Sequence, residues 1–166
     1  MKKGFTMIEL VFVIVILGIL ASLAVPKLAA TKDDAEAAKA AVEIKDAINQ
    51  LTTYYIVNGS FPDNGNGADK INGADVTTVN KDKIKDISPT IVEVLGRTGN
   101  KWTDCIKITP SNGDATKGAN IKIEKKDNGT SSFCSAVRGT QAVKDWIKLT
   151  DGIQVGGSSI FKEQTN

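Results

Sequence analysis

The chain of 166 residues has no histidine at all. That removes imidazole as a general base, as a triad member and as a metal ligand. Cysteine is nearly as scarce, with Cys105 and Cys134 the only two. A thiolate metal site needs more ligands of that kind, and a catalytic thiol needs a basic partner. No phosphate-cradling glycine loop is present, because Gly152 and Gly156-Gly157 lack the spacing and the following lysine. Excess charge is also missing: 21 Lys and Arg stand against 19 Asp and Glu. A balanced chain is a poor binder of nucleic acid through bulk charge. Asp33-Asp34 and Asp104 sit among lysines as on a solvated face, and Lys122, Lys125 and Lys126 read as a strand end. None of these patterns points to catalysis.

What is present is one long apolar run. From Phe5 to Val25 the chain counts 21 residues, interrupted by Thr6, Glu9 and Ser22, and no charge occurs between Leu10 and Pro26. About 20 apolar residues at roughly 1.5 Å rise each are enough to cross a bilayer core. Glu9 lies inside this run, where a carboxylate costs roughly 2.5–3.5 kcal/mol on insertion scales. It therefore needs a partner, and a Phe5 amine one turn away on the same chain or on another copy would serve equally.

Residues 2 to 9, Lys-Lys-Gly-Phe-Thr-Met-Ile-Glu, resemble the leader and first turn of the type IV pilin and type II secretion pseudopilin superfamily. Tyr55 to Pro62 is similar to the Tyr-x-x-Asn-Gly-x-aromatic-Pro turn of many such proteins. The resemblance is close over about the first 60 residues and general beyond them. It implies cleavage by a prepilin peptidase between Gly4 and Phe5, with methylation of the new Phe5 amine. It also implies a subunit-assembly role for the Glu9 carboxylate, paired with the terminal amine of a neighbouring subunit. Gly18 and Pro26 fall where helices of this family bend or loosen. Loss of Lys2 and Lys3 with the leader would leave 19 basic and 19 acidic side chains, a neutral subunit suited to close packing with its own copies. The small residues around Gly18, Ala21 and Ala24 either aid that packing or are ordinary lipid-facing composition. A secretory signal cut near Ala21-Ser22-Leu23-Ala24, or a plain signal anchor, would account for less. The first needs a shorter apolar region, and the second leaves Glu9 and the Gly-Phe-Thr junction unexplained.

The division expected is a leader over 1–4, a transmembrane and filament-core helix over 5–25, an amphipathic continuation over 26–58, and a globular pilin-like domain over 59–166. Ala37, Ala41, Ile44, Ile48, Leu51 and Tyr55 recur at helical spacing and predict one apolar stripe laid against a small sheet. Asn58-Gly59 reads as the helix end. Residues 77 to 95 predict one helix, or two broken near Ser88. Trp102 to Thr109 and Ile121 to Glu124 read as strands, with turns at Asn112-Gly113 and Asn128-Gly129. Phe133 to Trp146 is a strand and short helix, or helical from Ser132 onward, and Gln154 to Phe161 is a last strand bent at Gly156-Gly157. The fold class is α+β: a long helix packed on an antiparallel sheet of three or four strands.

Two cysteines in an exported domain read as one disulfide, Cys105 with Cys134. The loop from Asp63 to Asp69 is polar and glycine-rich. Asp63 and Asp69 are the weak calcium candidates there, a solvated loop being the simpler reading, and no other cofactor is implied. Asn58 and Asn128 head Asn-x-Ser/Thr triplets, both at Asn-Gly turns. The resemblance implies a homo-oligomeric filament, with the prepilin peptidase, an inner-membrane assembly platform and other pilin-like subunits as partners. It places the chain in the bacterial inner membrane before assembly and in a periplasmic or extracellular filament afterwards. Pilus and pseudopilus stay open. A DNA-binding minor pilin would want an exposed basic stripe, and a non-polymerising membrane-anchored periplasmic module would need neither Glu9 nor cleavage.

Overall fold

A computed structural model describes residues 4, 6–63, 70–114 and 117–156. Helix α1 spans Met7–Asn58, 52 residues, and passes through Pro26 without a break in the assignment. At about 1.5 Å per residue the rod is roughly 78 Å long. Proline has no N–H, so the bond from position 26 to the Ser22 carbonyl cannot form. The flanking hydroxyls of Ser22 and Thr31 donate back to the Ile19 and Leu28 carbonyls at 2.7 and 2.9 Å. The rod ends at Gly59, whose φ of +75° takes the left-handed turn and whose N–H caps the Tyr55 carbonyl at 2.7 Å.

The buried face of α1 begins at Ala37 and takes in Ala40, Ile44, Ala47, Ile48 and Leu51. Two of the expected stripe residues, Ala41 and Tyr55, lie at its border and are only partly buried. The face is centred on Ile44 and broader than a single stripe because neighbours embrace the rod from both sides. Along the backbone α4 (Ser132–Gly139) lies most closely against it, with α3 (Pro89–Gly96) and β3 (Ile153–Gly156) also touching. The sheet contributes through side chains: Ile106, Ile108, Ile121 and Ile123 join one core with Ile44, Ile48 and Leu51.

The break expected near Ser88 separates α2 (Lys81–Ile84) from α3 (Pro89–Gly96). Ser88 caps α3, with Pro89 at the first helical position where no N–H is needed. The strand expected from Trp102 starts later. Trp102–Asp104 forms a 3-10 turn, closed by Cys105 N–H on the Trp102 carbonyl at 2.9 Å. Its indole is held on α1 instead of in a ladder, donating to Glu43 at 3.2 Å.

Strands β1 (Ile106–Ser111), β2 (Ala119–Lys125) and β3 (Ile153–Gly156) form an antiparallel sheet in that order. Ile108 faces Ile123 and Pro110 faces Ile121 on the buried side, while Lys107 faces Glu124 on the other. Of the last strand expected, residues 157–161 lie outside the described residues. Between β2 and β3 the chain is helical, α4 (Ser132–Gly139) and α5 (Gln141–Lys148), broken at the extended Thr140. The outer edge of β1 is sealed by residues 72–76. Gly73 and Val76 donate to the Pro110 and Ile108 carbonyls at 2.7 and 2.9 Å. The Asp75 carboxylate takes the Ile108 N–H at 3.3 Å, and Pro110 has no N–H to satisfy.

Candidate functional site: an exposed apolar helix and its single carboxylate

Residues Met7–Val25 form 19 residues of helix, none of them buried inside the molecule, with a mean hydropathy of 2.9. At about 1.5 Å per residue this is roughly 28 Å, close to the thickness of a bilayer core. Burying a single large aliphatic side chain is worth about 1.5–3 kcal/mol. Ile14, Leu17 and Leu20 are each more than half exposed, so the covering medium comes from outside the chain. Among the described residues this is the one helix long and apolar enough to cross a membrane.

Glu9 sits one turn into this helix. Its Oε2 accepts from the Thr6 N–H and from the Thr6 hydroxyl, both at 2.7 Å, while Glu9 N–H donates to Thr6 Oγ1 at 3.4 Å. This reciprocal capping box satisfies two otherwise orphaned donors at the helix start. It also gives the carboxylate polar company within its own chain. Sequence reasoning sought a partner for Glu9 and passed over Thr6, although a threonine three residues before a glutamate is the spacing that signals such a box. Phe5, Lys2 and Lys3 lie outside the described residues, and the Phe5–Glu9 contact with them. Gly4 is exposed, and a side chain added there would meet nothing within 4 Å. The same holds at Gly18, so among the described residues no neighbour requires its smallness.

The rod is tied to the domain by polar clamps. Arg97 Nη1 donates to both Glu43 oxygens at 2.8 and 2.9 Å, and Nη2 reaches Glu93 at 2.6 Å. These two carboxylates hold the guanidinium above its ordinary value, Glu93 most strongly. Nearer the N-terminus of the rod, Asn100 donates to Glu36 at 2.8 Å and Ser132 to Asp33 at 2.5 Å. Cys105 and Cys134 form a disulfide with Cα atoms 4.9 Å apart, joining the start of β1 to α4. Asp63, one of the two calcium candidates, pairs with Lys70 Nζ at 2.9 Å, a cation where a metal would have to bind. That contact holds its carboxyl below the ordinary aspartate value. Asp69 lies outside the described residues. Among the described residues no group of three or more His, Cys, Asp or Glu is placed to hold a metal.

Residues 1–25 match the family model described as the prokaryotic N-terminal methylation motif. The chain is 43% identical over 70 residues to the type II secretion system core protein G of Aeromonas hydrophila, covering 42% of this chain and 49% of that protein. The corresponding protein of Escherichia coli K12 is 39% identical over 70 residues, 42% and 48% of the two chains. The N-terminal part of the chain is similar to the type II secretion pseudopilins. A fimbrial protein of Neisseria meningitidis is 34% identical over 76 residues, 46% of this chain and 45% of that one. The pilin-like chain thus matches less than half the length of each of these relatives. No solved structure is a match.

Proposed function

We propose that the chain is a structural subunit of a type II secretion pseudopilus, assembled through its N-terminal helix and performing no catalysis itself. The observation that carries this reading is the bare apolar span with one carboxylate at its head, following a Gly-Phe-Thr junction. In this account residues 1–4 are a cytoplasmic leader, 5–25 the membrane and filament-core helix, 26–58 its amphipathic continuation and 59–166 the exported domain. A prepilin peptidase cuts between Gly4 and Phe5 and methylates the new amine. Glu9 then offers its charge to the terminal amine of a neighbouring subunit. In an apolar medium an opposite pair is worth far more than in water, so it sets the register in which helices stack. Gly18 and Pro26 give the helix local freedom during that stacking. An inner-membrane platform and other pilin-like subunits are the remaining partners.

A type IV pilus is the second reading, favoured by the similarity to a fimbrial protein and by the disulfide-stapled domain. The test of the subunit reading is intact mass under non-reducing conditions, from cells with and without the prepilin peptidase. The expected product lacks Met1–Gly4 and carries one added methyl. An uncut chain in peptidase-positive cells overturns the reading and leaves a membrane-anchored module. Deleting the secretion system's assembly platform, and separately that of the pilus, then tells which filament loses the subunit.

A further inference from the structure

Asparagine followed by glycine is the pair in which a main chain most readily attacks a side chain, because a residue without Cβ leaves its nitrogen unhindered. The chain holds six such pairs, at Asn58, Asn64, Asn66, Asn72, Asn112 and Asn128. Asn64 and Asn66 lie outside the described residues. The other four differ in how firmly the two reacting groups, the side-chain amide and the glycine N–H, are held.

At three of them both groups are engaged. Asn58 Nδ2 donates to the Tyr54 carbonyl at 2.9 Å, and Gly59 N–H donates to that of Tyr55 at 2.7 Å. Asn72 Oδ1 accepts the Asn112 N–H at 2.9 Å, and Gly73 N–H donates to the Pro110 carbonyl at 2.7 Å. The Asn112 side chain accepts the Phe61 N–H at 2.6 Å and donates to the Phe61 carbonyl at 3.0 Å. Its neighbour Gly113 donates to Ser111 Oγ at 3.1 Å.

Asn128 is the exception. Its side chain is exposed and makes no hydrogen bond among the described residues. Gly129 N–H points to the Lys126 carbonyl at 3.3 Å, beyond the usual range of about 2.7–3.2 Å. Neither reacting group has to leave a good partner first.

We propose that Asn128 is a self-modification site, at which the exposed amide is converted to a carboxylate. The Gly129 nitrogen bonds to Asn128 Cγ, and its proton departs with the amide nitrogen as ammonia. Water then opens the five-membered imide at one of its two carbonyls. Opening at Cγ gives aspartate, and opening at the main-chain carbonyl gives isoaspartate. Either product adds one negative charge to a chain whose charges are nearly balanced.

The seat of Gly129 selects between the two products. Gly129 is buried, and its carbonyl accepts from Arg138 Nη2. A Cβ placed on it would lie 2.9 Å from the Asp104 carbonyl oxygen and 3.1 Å from Cys105 Cα. Isoaspartate inserts an extra main-chain carbon just before this seat, whereas aspartate leaves the chain length unchanged. The folded domain therefore favours aspartate.

The test is peptide mapping by mass of the full, oxidised chain in detergent, aged at mildly alkaline pH in water enriched in heavy oxygen. The reduced chain unfolded in guanidinium is the reference in which every pair is open. Label should enter position 128 of the folded chain at least about tenfold faster than Asn58, Asn72 or Asn112. Each hydrogen bond that must open first slows a step by about two- to tenfold. In the reference the four rates should converge. Position 128 of Asn128→Gln, whose amide would close a larger ring, should stay unlabelled; labelling there as fast as in wild type overturns the cyclisation. An Asn128 that reacts no faster than the other three in the folded chain overturns the proposal. So does a sugar on its nitrogen in protein from cells, since Asn128 also heads an Asn-x-Thr triplet. An isoaspartate share as high in the folded chain as in the unfolded one overturns the selection by Gly129.

Discussion

Removing the Cys105–Cys134 bond is the sharpest test of how the globular domain holds together. The bond closes a loop of sequence separation 29, which contains the whole β1–β2 hairpin. In the chain-entropy account a loop of that length removes about 12 cal/mol/K from the unfolded ensemble, or about 3.6 kcal/mol at 25 °C. Both cysteines are buried, so alanine is the right replacement; serine would add an unsatisfied hydroxyl. Small domains are stable by about 5–15 kcal/mol, so the loss is a quarter of the total or more. The full chain in detergent, unfolded with urea and followed by the fluorescence of buried Trp102, is the assay. Oxidised wild type, reduced wild type and Cys105→Ala/Cys134→Ala should separate into one stable and two weakened species, with a thermal midpoint lower by roughly 15–25 °C. A loss below about 1 kcal/mol, with the open thiols verified by mass, would refute the staple argument.

Three further outcomes are expected. Gly156→Ala drives a Cβ into the Tyr55 ring, so it should destabilise by about 1–3 kcal/mol, and adding Tyr55→Ala should recover part of that in a double-mutant cycle by urea melts. Thr6→Val removes the hydroxyl that both donates to Glu9 and caps the helix, and should weaken the helix start by about 1 kcal/mol. Filament yield should fall with it, whereas Thr6→Ser should retain both contacts and assemble normally. Finally, the hydrogen bond from Lys122 holds the Glu124 carboxyl below its ordinary value. A depressed folded-state pKa contributes stability above the ordinary glutamate value of about 4.3 and loses it as pH falls through the folded value. The urea midpoint should therefore decline on acidification through that window, and less steeply in Glu124→Gln.

The long helix was legible because both halves carry strong, uninterrupted patterns and Asn58-Gly59 marks its end. Ser88-Pro89 was equally plain, since a serine cap and a proline at the first helical position act locally. Trp102 was misleading: its β-prone neighbourhood reads as strand, but its indole is pulled to Glu43, a residue 59 positions away. Ala40 and Ala47 escaped the expected stripe because alanine suits a surface helix and a tight core equally well, and only the packing of the domain on the rod decides. At the candidate site, Glu9 stood out as a lone carboxylate in an apolar run. Its Thr6 partner stands in the same motif, but a lone charge in an apolar run points to an ionic partner and gives no sign that a hydroxyl serves.

The sealed edge of β1 bears on crowding. In the filament proposed above, domains would meet at high effective concentration, conditions under which an open strand edge recruits another sheet and fuses with it. Residues 72–76 occupy the outward hydrogen-bonding groups of Ile108 and Pro110 from within the same chain. Such cross-domain zippering is barred along this strand, so neighbours can jostle at close quarters and still come apart intact.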